Sequence, residues 1–373
     1  MKGKAAVLHG IRGDITVEEY TVPTPGPGEF VVKTELATVC GTDMHIYHGQ
    51  LDFIPFPVIL GHEFCGIIAS LGEGIAEDTN GKPVKVGDRV VVAPGVACGQ
   101  CYFCKIAKTP TRCTSCPTYG MTINDGNNVL TGGFGQYVHV KFPHTSFFKT
   151  DAPPEIAAIT EPMSIAIHGY QRAGGVPIGG TVIVQGTGSV GLGAIAFAKV
   201  GGASQIIAVG GPKARLDLAK ELGADVTVDI ADIKDEEERR KYILSLTPGG
   251  RGADMVVEGA GFPAAIPQGL DLLRDSGTFV ELGHFTDSGP VSINPHWQIV
   301  RKNCTILGVW GSSTEHLKVT LDIMEKHELP YEKMVSHQLP LSGLKESFSI
   351  LSEKGYKMDN GQEVVKLAIN PWL

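Results

Sequence analysis

The stretch Thr181-Val-Ile-Val-Gln-Gly186-Thr-Gly188-Ser-Val-Gly191 decides the fold. Its first five residues form a compact, largely β-branched run that reads as a buried strand, and the run from Leu192 to Val200 reads as a helix. Between them lie glycines at the spacing of a dinucleotide turn. Gly186 permits the tight bend, Gly188 lets backbone approach a pyrophosphate, and Gly191 lets helix and strand pack closely. Val190 belongs to the same glycine turn, which opens the helix whose N-terminal amides are free for the phosphates. The bland alternative is a plain glycine-rich bend; the placement between strand and helix favours a nucleotide.

Downstream the alternation continues. Gln205-Ile-Ile-Ala-Val209 is a strand, Ala214 to Leu222 a helix, and Met255-Val-Val257 and Thr278-Phe-Val-Glu-Leu282 are strands, each preceded by a helical stretch. Strands alternating with helices predict an α/β fold, a doubly wound parallel sheet of Rossmann type, over residues 156–300. Residues 1–155 are different. Short runs such as Phe30 to Val39 and Asp88 to Ala93, broken by Gly and Pro, predict a β-rich domain with a barrel-like core. From about residue 300 the alternation weakens, and residues 301–373 are expected to return to the first domain.

The second strand of such a sheet normally ends in a carboxylate for the adenosine ribose of NAD. Here Val209 runs into Gly210-Gly-Pro-Lys213, so the acid is missing. Gly210 leaves room for a 2′-phosphate, and Lys213 and Arg215 offer positive charge nearby; the competing reading places both basic residues on an exposed helix start. The cofactor is therefore written NAD(P), with a lean to NADP or dual use.

Cys98, Cys101, Cys104 and Cys113 gather half of the eight cysteines into a span of sixteen residues. Four thiolates from one short loop make a closed tetrahedral site, which selects zinc in a structural role. A disulfide reading fails because no secretory signal precedes the loop, the chain is long enough to need no staples, and the spacing suits metal; an iron–sulfur cluster is the other metal reading. Cys113 is the natural fourth ligand, and Cys116 lies three residues on as its rival.

A chain of 373 residues, 42% apolar and with a net charge of −8, can bury a large core and has no basic stripe for nucleic acid. No run approaches the ~20 apolar residues of a membrane span, so a cytoplasmic enzyme with no membrane partner is expected. A second set of metal-ligand types lies upstream of the loop: Cys40-Gly-Thr42-Asp43-Met-His45, Gly61-His62-Glu63 and Glu161-Pro162. Cys, His and Glu all bind zinc, and three protein ligands with one exchangeable position make a catalytic site. Singly, each has an ordinary alternative as a core, turn or cap residue.

Together these motifs, in this order and with Gly87-Asp-Arg-Val90 between them, resemble the zinc-dependent alcohol dehydrogenases of the medium-chain dehydrogenase/reductase superfamily. The likeness spans nearly the whole chain, and Glu161-Pro-Met-Ser-Ile-Ala-Ile-His168 looks like the polyol, sorbitol-type branch. Two features depart from the family: the gap from Cys104 to Cys113 is one residue longer than usual, and Cys65, outside the pattern, reads as a buried core cysteine.

The resemblance implies a GroES-like catalytic domain, completed by the C-terminal tail, with a structural zinc lobe at about 95–118 and the active cleft at its junction with the Rossmann domain. It implies two zinc ions per chain. The catalytic one is held by Cys40, His62 and Glu161, with Glu63 able to approach or replace the water ligand and Glu161 ligating directly or through water; the structural one sits in the cysteine loop. It implies hydride transfer between a secondary alcohol or polyol and NAD(P), giving the ketone. Thr42 fits the group that receives the alcohol proton, His45 the relay to solvent, and Asp43 the partner orienting His62. The family also implies a homodimer or homotetramer, with Val291-Ser-Ile-Asn294 through Leu307 as interface. Tyr47, Phe53 and Ile54, with Trp297 and Trp310 opposite, are the expected pocket residues, favouring a cyclic or medium-sized secondary alcohol unless these aromatics are core or oligomer contacts. The rivals are a zinc-free quinone or enoyl reductase, a thiol-dependent or formaldehyde-linked zinc dehydrogenase, and a non-enzymatic nucleotide-binding protein.

Overall fold

The computed structural model describes every residue, Met1–Leu373. The first part of the chain supplies β1 (Lys2–Leu8), β2 (Ile15–Thr21), β3 (Phe30–Thr38), α1 (Gly41–His48), β4 (Glu63–Leu71), β5 (Arg89–Val92), α2 (Tyr102–Lys105), β6 (Tyr137–Val140), β7 (Phe147–Lys149) and α3 (Pro154–Ala158). Next come α4 (Thr160–Arg172), β8 (Thr181–Gln185), α5 (Ser189–Val200), β9 (Gln205–Gly210), α6 (Lys213–Glu221), β10 (Val226–Asp229), α7 (Glu236–Leu246), β11 (Ala253–Glu258), α8 (Ala265–Leu272), β12 (Leu273–Glu281) and β13 (Thr305–Gly308). The chain finishes with α9 (Thr314–Lys326), β14 (Val335–Leu339), α10 (Leu344–Ser352) and β15 (Lys366–Ile369).

Strands β8 to β13 form one six-stranded sheet in the order β10-β9-β8-β11-β12-β13, parallel throughout. Counted from β8 this is the 3-2-1-4-5-6 order of a doubly wound dinucleotide fold. The order reverses direction at β8, so the crevice beyond its carboxyl end opens at the Gly186 turn. All five residues of β8 are buried, which explains why it reads as an unbroken apolar run: helices cover both sheet faces. β13 belongs to this sheet, pairing with β12 from Thr278↔Thr305 to Glu281↔Gly308. The expected boundary at residue 300 therefore falls before the sixth strand, whose four residues are too few to announce themselves as a unit.

The remaining strands form a seven-stranded sheet, β14-β15-β3-β4-β5-β7 with β6 also on β3, beside the β1–β2 hairpin. β14 and β15 come from the tail, and β15 pairs antiparallel with β3 through Ala368↔Thr38. An apolar core built from both ends of the chain, including Phe30, Phe64, Phe134, Phe348 and Leu367, fills this half. The two halves are joined by a further cluster in which Leu36, Cys65 and Phe148 of the barrel meet Ala158 of α3 and Leu321 of α9. Cys65 is fully buried there.

Glycine at 191 is a steric requirement, since a Cβ there would stand 2.0 Å from the Gly186 carbonyl oxygen. Gly191→Val is expected to push α5 off β8, lowering the thermal midpoint by the equivalent of about 1–3 kcal/mol or more and weakening dinucleotide binding. Thermal unfolding and nucleotide titration of the variant check this; an unchanged midpoint contradicts it.

Candidate active site

A cleft of about 1120 Å³ runs between the two halves. At one end is the glycine turn. Gly186 has φ +89°, and a Cβ at Gly188 would meet no protein atom within 4 Å, so its backbone is open to the cleft. Gly188, Ser189 and Val190 all line the cleft. The chemistry read from the glycine spacing thus has its geometry: one bend, one open approach and one tight helix contact, a cradle that fits a pyrophosphate.

At the other end, Cys40, His62 and Glu63 offer ligand atoms within 4.8 Å of one another. Cys40 caps α1, and Asp43 closes the cap by accepting from the Cys40 backbone amide at 2.9 Å. Its other oxygen accepts from Gly61 N–H at 3.3 Å and lies 3.6 Å from His62 Nδ1, so one buried carboxylate registers both arms of the cluster. Glu63 begins β4 opposite Thr38. Its Oε2 accepts from the Thr38 hydroxyl and pairs with Lys366 Nζ at 2.8 Å, while its Oε1 is buried without a partner. Lys366 and Thr38 were not anticipated. The signal for Lys366 is in the sequence: a lone lysine within Val364-Val-Lys-Leu-Ala-Ile369 needs a buried counter-charge.

Glu161, in the first turn of α4, lines the same cleft but lies outside the 4.8 Å group. Burial pushes its carboxyl up to about 7; His62 opposes the rise and Glu63 adds to it. Burial likewise raises the Cys40 thiol. These donors are held neutral against their chemistry unless a cation compensates them, which is the condition a zinc ion meets. Thr42 is buried with its hydroxyl 3.5 Å from Cys40 Sγ. His45 Nδ1 is 2.5 Å from exposed Gln50 Oε1 and 3.4 Å from Thr286 Oγ1, partners the sequence did not indicate.

In the lobe, Cys98, Cys101, Cys104 and Cys113 converge, and Cys116 is not among them. Cys101 Sγ lies 3.6 Å from Cys104 Sγ and 3.9 Å from Cys113 Sγ. Sulfurs on a tetrahedral zinc at about 2.3 Å stand about 3.8 Å apart, so the set fits. Backbone amides of Thr114 and Cys104 draw the Cys101 thiol down to about 6, whereas burial and the neighbouring thiols push Cys104 up to about 12; only a cation holds all four as thiolates.

One expectation about charge and three about shape are corrected. Arg215 does not stand at an exposed helix start: its guanidinium donates to Val365 O at 2.8 and 3.0 Å and covers the Tyr356 ring. Lys213 is exposed and paired with Asp217. Gly210 is enforced by Thr187, whose hydroxyl would lie 2.7 Å from a Cβ there. Tyr47 packs on Phe348, Ile54 is in the barrel core, and Trp297 is exposed away from the cleft. Phe53 and Trp310 do line it, joined by Phe285, stacked on Trp310 with ring centroids 4.5 Å apart.

Comparison with known proteins agrees with this geometry. A family model described as an alcohol dehydrogenase GroES-like domain matches residues 26–151, and one described as a zinc-binding dehydrogenase matches 189–326. The chain is 37% identical over 307 residues to a 5-exo-hydroxycamphor dehydrogenase of Pseudomonas putida, covering 80% of this chain and 82% of the relative. It is 32% identical to an erythritol/L-threitol dehydrogenase of Mycolicibacterium smegmatis, covering 99% and 98%. A crystal structure of an alcohol dehydrogenase from Thermotoga maritima superposes with a TM-score of 0.91 at 30% identity, covering 99% of both chains. The chain belongs to the zinc-binding alcohol dehydrogenases of the medium-chain superfamily, with polyol dehydrogenases among its relatives. It is an enzyme that interconverts a small-molecule alcohol and a carbonyl compound with zinc and NAD(P). No helix is long and apolar enough to cross a membrane.

The lobe yields a direct test. Cys113→Ser is expected to remove one zinc per chain and loosen residues 95–118, whereas Cys116→Ser keeps the metal. Metal analysis of the two purified variants decides; equal zinc in both contradicts the assignment.

Proposed function

We propose that the chain oxidises a cyclic or medium-sized secondary alcohol to its ketone, with two zinc ions per chain. Cys40, His62 and Glu161 would hold the catalytic zinc, Glu161 directly or through water and with Glu63 beside them, and Cys98, Cys101, Cys104 and Cys113 would hold the structural one. The observation that carries this reading is the convergent Cys40–His62–Glu63 group in one cleft with the open glycine turn. Zinc in that group supplies a Lewis acid that eases loss of the alcohol proton, and the nicotinamide supplies the hydride acceptor.

The chain's own residues do the rest. The Thr42 hydroxyl accepts the alcohol proton inside the cleft, and His45 passes it toward exposed Gln50 and solvent. Asp43 fixes Cys40 and His62 in register. The Phe285–Trp310 stack and Phe53 give the substrate end an apolar wall. That wall supports a substrate of the kind the Pseudomonas relative is named for, a cyclic secondary alcohol, over a heavily hydroxylated chain.

Either dinucleotide enters, with a lean to NADP or dual use. Support comes from the absence of a carboxylate at Gly210 and from Lys213, whose exposed pair with Asp217 holds it weakly. The assembly is a homodimer or homotetramer through residues 291–307, supported by the open edge of β13 beside exposed Trp297, Val300 and Ile306. Free cysteines throughout are consistent with a reducing compartment such as the cytoplasm.

Secondary alcohols, polyols and ketones screened with NAD and NADP by nicotinamide absorbance test the reading. Turnover is expected to be fastest with cyclic secondary alcohols, and Cys40→Ser is expected to lose nearly all of it, by 10³-fold or more on the order expected for a missing Lewis acid. No turnover anywhere with two zinc ions bound, or full activity in Cys40→Ser, sinks the proposal.

A further inference from the structure

A third group of ligand-type side chains lies at the carboxyl edge of the parallel sheet, away from both sites above: Glu258, Glu281 and His284, with ligand atoms within 4.8 Å of one another. Glu258 ends β11 and Glu281 ends β12, and the sheet register sets them side by side. His284 lies three residues further on and folds back, its Nδ1 standing 3.0 Å from Glu281 Oε1 and 3.5 Å from Glu258 Oε2.

Two adjacent carboxylates in this position are unusual in having no lysine or arginine paired with either. Glu258 is fully buried. Its Oε1 accepts from the amides of Ala260 and Gly261 at 2.6 and 3.0 Å, but its Oε2, turned toward His284, has no hydrogen-bond partner. Glu281 repeats the pattern: Oε1 accepts from the amides of Gly283 and His284 and is hydrogen-bonded to the His284 ring, and Oε2 is buried and unsatisfied. Gly283 leaves the space, because a Cβ there would stand 2.3 Å from Glu258 Oε2. Burial and the neighbouring Glu281 push the Glu258 carboxyl up to about 8, so its ionised form lacks a compensating charge.

We propose that Glu258, Glu281 and His284 form a divalent-cation site of oxygen and imidazole donors, separate from the two zinc sites. Adjacent ligands on an octahedral ion at about 2.1 Å lie about 3.0 Å apart, a separation that His284 and Glu281 already have and that His284 and Glu258 exceed by a small side-chain adjustment. An ion reaches the site through a second hollow of about 630 Å³, lined by Glu281 and His284 together with Arg112, His168 and His316. Its role is that of a brace. The amides that hold the two glutamates belong to the turns at 259–261 and 282–284, and Gly259, Ala260, Leu282 and Gly283 of those turns also line the main cleft.

Manganese is the discriminating probe, since hard Mn²⁺ competes poorly for thiolate sites already filled with zinc. Mn²⁺ is titrated into the zinc-replete full-length chain and the free ion is followed by electron paramagnetic resonance. The expected result is one saturable Mn²⁺ per chain and a rise of roughly 2–5 °C in thermal midpoint at saturation. Glu281→Gln and His284→Ala, both at partly exposed positions, should each weaken binding tenfold or more. The proposal is overturned if the wild-type chain shows no saturable binding, or if both variants bind as it does. It is equally overturned if Glu281→Gln raises the midpoint while the wild type takes up no Mn²⁺, since the carboxylates then share a proton instead.

Discussion

The buried ion pair between Glu63 and Lys366 ties the C-terminal strand β15 to the metal-ligand cluster of the barrel half. Glu63 is fully buried and Lys366 is 5% exposed, so neither charge has water to fall back on. Removing one partner of such a pair costs about 3–5 kcal/mol, because the other is left buried and alone. Lys366 also donates to Val39 O, just before the Cys40 cap, and its neighbour Val365 supplies the carbonyl that holds Arg215 of the nucleotide half. Two consecutive tail residues therefore fix Glu63 against Cys40 and His62 on one side and α6 on the other.

That constraint explains why the tail returns to the barrel after the nucleotide domain is complete. β15 pairs with β3, which presents Thr38 to the same carboxylate that Lys366 neutralises. With one oxygen of Glu63 committed, the other is left facing the metal-ligand cluster. The cluster's negative potential is thus partly balanced from behind and left to be completed by a cation from the front. The lobe presents a simpler arrangement: four sulfurs from one loop converge, the donor set of a closed structural site.

Much of this was legible in the sequence, and the reason differs from part to part. The strand at 181–185 and the glycines behind it are local signals, each glycine answering to a contact within a few residues. Cys98 to Cys113 is local too, and the sulfurs that converge there include Cys113 and not Cys116. Cys40, His62 and Glu161 are scattered, and they became readable through the order of motifs around them. What stayed hidden depends on long-range register: Lys366 against Glu63, Arg215 against Val365, and β13 as a sixth strand. Aromatic residues misled for the same reason. Tyr47 and Phe53 share one short stretch, but α1 packs Tyr47 on Phe348 while Phe53, in the turn beyond the helix, lines the cleft.

On the proposed function, Cys40 and His62 bind a zinc ion distinct from the one in the cysteine lobe. Anomalous diffraction at the zinc edge from crystals of the zinc-replete protein tests it most directly. Two peaks per chain are predicted, one among the four lobe sulfurs and one within bonding distance of Cys40 Sγ and a His62 ring nitrogen. A single peak confined to the lobe would contradict the account.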